Sequence, residues 1–216
     1  MKISIINGSP KLSESTSALL IDYLTPQLKG NDIHIYRIHK EALSDCQLAD
    51  IADSDALIFA FPLYVDSIPS HLLRMLINLA KQDFSKRKPM VYCIVNNGFY
   101  EGKQNHSAID QMKIWCQQTH LTWGQAIGTG AGEMLPYISS VPLGHGPNKN
   151  LGHALSTLSQ NIKSAQSGQD LFISPNYPRF LWKMNASMFF WYPRAKANGL
   201  KRKALYQQAD KINFHQ

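Results

Sequence analysis

Apolar residues recur along the chain with two different periods. Short runs that are continuously apolar or alternate every second residue predict five β-strands, at 3–6, 33–38, 56–61, 90–95 and 123–127. Stretches in which apolar residues recur every three or four positions predict helices at 19–24, 67–80, 108–116 and 148–162. Residues 43–53 are weakly patterned and are predicted to be a connector. Five strands alternating with helices predict a doubly wound α/β domain with a parallel sheet.

The loop after the first strand is rich in hydroxyl groups. Gly8 and Pro10 break the extended chain before the first helix begins. Around this break lie five hydroxyl side chains: Ser9, Ser13, Ser15, Thr16 and Ser17. A helix N-terminus carries unpaired N–H groups and a partial positive charge, so added hydroxyl donors make a site for a phosphate group. The alternative, in which Ser13 or Ser15 is only an N-cap, stays open.

The same loop lacks the signatures of two common phosphate sites. It has no second glycine followed by lysine, which excludes a nucleoside triphosphatase loop. Only Gly8 is present where a dinucleotide fingerprint would need three glycines. A hydroxyl-rich loop without a lysine after glycine suits a phosphate monoester such as that of FMN.

Two further loops follow predicted central strands. In a doubly wound sheet the ligand lies beyond the carboxyl ends of these strands. The third strand leads into Pro62, Leu63, Tyr64 and Val65, and the fourth leads into Asn96, Asn97, Gly98 and Phe99. Together these segments offer an aromatic surface, amide groups and close backbone approach, which a flat conjugated ring requires. Taken singly, Tyr64 could be a half-buried surface tyrosine and Asn97-Gly98 an ordinary turn.

Charge divides the chain into two parts. Residues 1–177 hold equal numbers of basic and acidic side chains, whereas residues 178–216 hold eight Lys or Arg against one acidic residue. We therefore predict a neutral domain at 1–170 and a basic, aromatic extension at 171–216. The extension is expected to be helical, with aromatics packed on the domain or on a second subunit and lysines solvated. The alternatives are contact with an anionic membrane surface or with a nucleic acid, and the chain carries no nucleic-acid module signature.

Cysteine and histidine usage points to no disulfide framework and no metal. Cys46, Cys93 and Cys116 are widely spaced and form no C-x-x-C pair, which fits a reducing compartment, and Cys93 is predicted to be buried in a strand. His145 and His153 have no partners at metal-ligand spacing. No apolar run has transmembrane length, so a cytoplasmic location is expected.

Over residues 1 to about 165 the sequence resembles the flavodoxin-like NAD(P)H-dependent FMN reductases and quinone reductases. The matching features are Gly8-Ser9-Pro10 with Ser15-Thr16, the run 55–59 leading to Pro62-Leu63-Tyr64, then Ile68-Pro69, and the Asn-Gly-Phe loop at 97–99. The resemblance implies a five-stranded parallel sheet in the order 2-1-3-4-5 with FMN at its carboxyl edge. It implies that Ser9, Ser15, Thr16 and Ser17 hold the FMN phosphate. It also implies that residues 62–65 line one side of the isoalloxazine and that residues 96–99 face its pyrimidine edge.

The activity that this resemblance implies is a ping-pong transfer of hydride from NAD(P)H to flavin N5 and then to an acceptor. The acceptor would be a quinone, a nitro or azo compound, or free flavin, with Tyr64 shaping the shared pocket and offering a phenol proton. The protein would then be an oxidoreductase, expected as a homodimer without nucleic acid. The alternative is a flavodoxin-like electron carrier or FMN-binding interaction module without nicotinamide turnover. A further alternative is weak membrane-surface contact through the tail.

Overall fold

A parallel sheet forms the centre of the first part of the chain. The computed structural model describes residues 1–11, 15–38 and 42–207. Six strands are present in it: β1 (Lys2–Asn7), β2 (Asp32–Arg37), β3 (Ala56–Pro62), β4 (Met90–Asn96), β5 (Thr122–Thr129) and β6 (Leu171–Ile173). They lie in the order β2-β1-β3-β4-β5-β6, and every neighbouring pair is parallel. The predicted order of the first five strands is confirmed.

The sixth strand corrects the predicted strand count. β6 pairs Leu171 with Ile127 and Ile173 with Thr129, so a segment predicted to belong to the extension is the edge of the sheet. The backbone approaches closely here, because a Cβ on Gly102 would lie 2.2 Å from the Ile173 carbonyl oxygen. Only glycine fits at that position.

The part of the β5 edge that β6 does not pair with is hydrogen-bonded by the chain just before β6. The Asp170 carboxylate accepts hydrogen bonds from Ala126 N at 2.8 Å and from Trp123 Nε1 at 3.1 Å. Lys113 Nζ lies 2.6 Å from the same carboxylate. Gly168 N donates to Gly124 O at 2.9 Å. The irregular chain before β6 therefore satisfies the backbone groups that a short strand leaves unpaired.

Helices cover both faces of the sheet. They are α1 (Thr16–Leu24), α2 (Asp45–Ala52), α3 (Ser70–Leu79), α4 (His106–Thr119) and α5 (Lys149–Lys163). Side chains of α2, α3 and α4 pack with Phe59 and Phe61 on one face, and those of α1 and α5 pack with Ile58 and Ala60 on the other. Successive β3 residues thus point into opposite cores, as expected for a strand buried on both sides. Cys93 is fully buried in β4, as predicted.

Helix α2 corrects the predicted connector at 43–53. Ser44 caps it, accepting from Gln47 N, while the Gln47 side chain accepts from Ser44 N. This reciprocal capping box stabilises the start of a short helix. Leu48, Ile51 and Ala52, at helical spacing, supply the buried face. The capping residues are recognisable in the sequence, but three apolar positions give only a weak helical periodicity.

The chain divides into two compact units, 1–176 and 177–216. Residues 171–176, predicted to begin the extension, lie in the first unit. The described part of the second unit is helical: α6 (Arg179–Asn185), a π-helical segment (Ala186–Trp191) and α7 (Tyr192–Ala197) form one run. A 3-10 turn follows at Arg202–Tyr206. Among the described residues, no helix combines the length and the apolar character needed to cross a membrane.

Candidate functional site

Four loops leave the sheet at one edge. The register pairs Asn7 with Ala60, Pro62 with Asn96, and Asn96 with Thr129, so β1, β3, β4 and β5 end side by side. Backbone bonds join the loops that follow them: Gly8 N donates to Ala60 O at 2.9 Å and Leu63 N donates to Asn96 O at 2.8 Å. The structure therefore brings the sequence-predicted loops together at the carboxyl edge of the sheet.

Side-chain hydrogen bonds shape the loop between β1 and α1. Asn7 Oδ1 accepts from Ser9 N at 3.0 Å, and Ser9 Oγ accepts from Lys11 N at 3.4 Å. His71 Nε2 lies 3.0 Å from the Gly8 carbonyl oxygen. Ser13, one of the candidate hydroxyls, lies outside the described residues. Ser15 is the N-cap of α1 and accepts from Ala18 N at 3.1 Å, so it caps the helix while its own hydroxyl proton stays available.

The hydroxyl groups near the start of α1 differ in whether they accept or donate a hydrogen bond within the protein. Ser9, Ser15 and Ser17 each accept a hydrogen bond, Ser17 from Asn96 Nδ2 at 3.0 Å. A hydroxyl that accepts still has its own proton to donate. Thr16 is different, because its Oγ1 donates to the Gly132 carbonyl oxygen at 3.2 Å. Its single proton is thereby used inside the protein, and Thr16 can offer a phosphate only its backbone N–H.

Asn96 is a buried link between the loops. Its Nδ2 donates both to Ser17 Oγ and, at 3.2 Å, to Phe61 O. The side chain is 5% exposed. Asn96 therefore holds the start of α1 against the ends of β3 and β4, and both of its amide protons are used in doing so.

Tyr64 begins a tight turn held against helix α4. Tyr64 and Ser67 exchange backbone hydrogen bonds of 3.1 and 3.0 Å across Val65 and Asp66. Val65 and Asp66 have φ of 50° and 53°, the left-handed conformation of a type I′ turn. Ser107 Oγ donates to Asp66 O at 2.8 Å.

The sequence predicted Val65 to line a flavin, and it stands almost fully exposed at the tip of this turn. A β-branched residue is strained in a left-handed conformation. Strain of this kind collects at ligand sites.

The pKa of the Tyr64 phenol is shifted by its surroundings. Burial raises the pKa of Tyr64 above its usual value, and the charge of Glu133 raises it further. The Tyr64 ring is nevertheless 43% exposed, so it offers a surface to a ligand. Glu133 Cγ would lie 3.9 Å from a Cβ on Gly98, which places this side chain beside the loop after β4.

The Asn97-Gly98-Phe99 loop is an Asx turn. Asn97 Oδ1 accepts from Phe99 N at 2.9 Å, and Asn97 Nδ2 donates to Glu101 O at 3.2 Å. Asn97 N donates to Thr129 O at 3.2 Å. Within the described residues, Gly98 therefore has the one backbone N–H of this loop left for a ligand. The Phe99 ring, 56% exposed, stands beside it.

The loop after β5 completes the edge. Gly132 N donates to Asn97 O at 2.7 Å, and its carbonyl receives the Thr16 hydroxyl. Sequence analysis did not single out Glu133, which follows this loop. No spacing rule marks a single glutamate after a glycine-rich loop, so its place beside Gly98 follows only from the fold.

The donors and surfaces at this edge fit FMN. Three seryl O–H groups and the first N–H groups of a helix suit the acceptor oxygens of a phosphate monoester. Tyr64 and Phe99 give exposed ring faces, and Gly98 N–H gives a donor for a carbonyl oxygen of a flat heterocycle. Among the described residues, no cluster of His, Cys, Asp and Glu could hold a metal ion.

No family model and no curated protein matches the chain. Solved structures do match. The Trp repressor binding protein from Bacillus subtilis is 18% identical, with a TM-score of 0.53 over 72% of this chain and 99% of that one. A short-chain flavodoxin associated with a bacterial microcompartment is 10% identical, with a TM-score of 0.55 over 77% and 99%. An NADPH-quinone reductase from P. pentosaceus is 12% identical, with a TM-score of 0.52 over 78% and 99%. The chain therefore has the flavodoxin-like fold.

Proposed function

We propose that this protein is an FMN-dependent oxidoreductase that takes hydride from NAD(P)H and reduces a small-molecule acceptor. The observation that carries the proposal is the set of seryl hydroxyls between the end of β1 and the first turn of α1 that accept hydrogen bonds and keep their own protons to donate. They lie on the sheet edge that also presents Tyr64 and Phe99. A phosphate and a flat ring system joined by a short linker would occupy these two regions together. The similarity to an NADPH-quinone reductase supports the same class.

Each element of the site has a distinct task in this proposal. Ser9, Ser15 and Ser17 donate their protons to the phosphate, with the helix N-terminus adding a partial positive charge. Bound FMN would supply the redox chemistry, receiving hydride from NAD(P)H and passing electrons to a quinone, a nitro or azo compound, or free flavin. Gly98 N–H orients the ring edge.

Tyr64 bounds the space that nicotinamide and acceptor share. The phenol, like that of any tyrosine, is protonated at neutral pH, and burial and Glu133 raise its pKa further, so its role is to donate a hydrogen bond to the acceptor. Glu133 adds a negative charge at the same place, which would favour neutral or cationic acceptors over anionic ones. A second subunit that covers the exposed faces of Tyr64 and Phe99 would complete the site, and we expect a homodimer acting in the cytoplasm.

A carrier role is the second candidate. One structural neighbour is a flavodoxin, and the fold is the same. An electron carrier needs a strongly charged surface to meet its partner, whereas residues 1–177 hold equal numbers of acidic and basic side chains. This neutrality favours the reductase.

The test is a visible spectrum of the purified protein with FMN, followed by anaerobic NADH and then NADPH. We expect bound flavin that bleaches within the mixing time and is reoxidised by a quinone. Flavin that binds but stays oxidised would favour the carrier, and no binding would overturn the proposal. Tyr64→Phe should retain FMN and lower turnover with acceptors that need a proton, while Tyr206→Phe, in the second unit, serves as the matched control.

A further inference from the structure

The second unit presents large apolar side chains to solvent along one continuous helical run. Phe180 and Met184 lie about one α turn apart on the same side of the helix, and Met188 and Trp191 follow further along the run. The run becomes π-helical at Ala186–Trp191. A π turn is wider than an α turn, so Phe189 also continues the side on which Met184 lies. These five side chains are between 47% and 75% exposed.

Positive charge surrounds this apolar stripe. Residues 177–207 contain seven Lys or Arg and no Asp or Glu. Lys183, Lys196, Lys201 and Lys203 are all exposed. Because no acidic residue is interspersed, the positive charges are not neutralised within the segment.

Aromatic rings and guanidinium groups hold the segment together. The Arg194 guanidinium lies 3.3 Å from the centre of the Phe190 ring, and that of Arg202 lies 4.5 Å from the centre of the Tyr192 ring. The Tyr192 and Tyr206 hydroxyls are 3.2 Å apart. These contacts fold residues 202–206 back onto the helix, so the basic end of the segment has a defined position within the unit.

We propose that this basic, aromatic surface of residues 179–203 docks on an anionic lipid bilayer. Exposed Phe, Met and Trp side chains can enter the acyl boundary of the headgroup region, while the neighbouring Lys and Arg side chains meet lipid phosphate. A second copy of this chain is a poorer occupant, because two surfaces of the same positive sign repel one another. A lipid acceptor such as a quinone would be available at such a surface, although docking does not depend on the proposed activity.

The test is cosedimentation of the full chain with vesicles. Vesicles of phosphatidylcholine alone are compared with an equimolar mixture of phosphatidylcholine and phosphatidylglycerol. We expect binding to the anionic vesicles at ~0.1 M salt and much weaker binding at ~1 M salt, where the Debye length falls from about 10 Å to about 3 Å. The triple variant Lys196→Gln, Lys201→Gln, Lys203→Gln should weaken binding by about a hundredfold, at roughly fivefold for each charge.

Two further variants test whether binding depends on the surface of residues 179–203 or only on the net charge of the protein. Lys29→Gln, Lys86→Gln, Lys149→Gln makes the same change in net charge on exposed lysines of the first unit, and binding should stay within about twofold. Phe180→Gln with Phe189→Gln removes two exposed rings, and each should cost about tenfold. Circular dichroism checks that each variant is folded.

The proposal is overturned by no binding to anionic vesicles at low salt, or by equal losses in the two lysine triples. It is also overturned by binding to polyuridylate in place of vesicles, and by a dimer that the phenylalanine changes dissociate in the absence of lipid binding. FMN binding and reduction are measured on the same samples, so a failure of docking is distinct from a failure of the reductase.

Discussion

Thr16→Val tests whether the hydroxyls at the start of α1 have the roles described. The substitution keeps the shape of the side chain and removes the donor to Gly132 O, a bond of 3.2 Å between buried residues. Losing such a bond costs about 1 kcal/mol, and leaving a buried carbonyl without its donor brings the total to about 1–3 kcal/mol. No cavity term is expected, because the two side chains have nearly the same volume.

Urea unfolding followed by tryptophan fluorescence measures this loss. With a denaturant slope of about 2–3 kcal/mol/M for a chain of this size, the midpoint should fall by about 0.5–1 M. Thr16→Ser retains the donor and should keep most of the stability. FMN affinity should change by less than about twofold in Thr16→Val, since the hydroxyl proton is already used.

Ser17→Ala, unlike Thr16→Val, should weaken FMN binding. Its hydroxyl accepts from Asn96 and keeps a proton for phosphate, so FMN affinity should fall by about tenfold or more. An unchanged unfolding midpoint for Thr16→Val, together with a tenfold loss of FMN affinity, would refute this assignment of roles. The Thr16 hydroxyl would then serve the ligand and not Gly132.

Two more predictions concern strain and pH. Val65→Asn, which tolerates the left-handed backbone at φ 50°, should raise the free energy of unfolding by about 1 kcal/mol and weaken FMN binding; a thermal melt that shows no gain contradicts the strain argument. Burial raises the pKa of Tyr92 from 10.0 to about 12, so its stabilising contribution is complete below pH 10 and is lost as pH rises toward 12. In Tyr92→Phe, the free energy of unfolding should decrease less between pH 10 and pH 12, by up to about 2 kcal/mol. If its urea midpoint drops as steeply as that of the parent chain, Tyr92 is not the cause.

The main elements were predictable because their apolar periods are strong. β3 is an uninterrupted apolar run, and the apolar spacing of α5 holds from Leu151 to Ile162, so type and order followed directly. α2 and β6 were missed because their signals are short. One depends on a capping box, and the other on three residues that pair with β5 only after a distant loop has approached it.

The candidate site was predictable as a set of loops but not as a set of contacts. Strand order fixes which loops meet, so residues 7–17, 62–65 and 96–99 could be grouped from the sequence. Which hydroxyl donates and which accepts depends on partners that are distant in sequence, such as Gly132 for Thr16. The Glu133 side chain comes beside Gly98, 35 residues earlier in the sequence, only through the fold. These long-range pairings leave no local pattern.

The hydrogen bonds that cover the edge of β5 decide where the chain can be shortened to produce the first unit alone. Asp170 and the residues around it satisfy the backbone of β5 before β6 begins, and β6 itself ends at Ile173. A shortened protein that stops at residue 170, the boundary predicted from the sequence, would lose β6 and expose the end of β5. Exposed strand edges pair with one another and cause aggregation. The first unit should therefore be produced with its terminus at Asn176, the boundary that the fold gives.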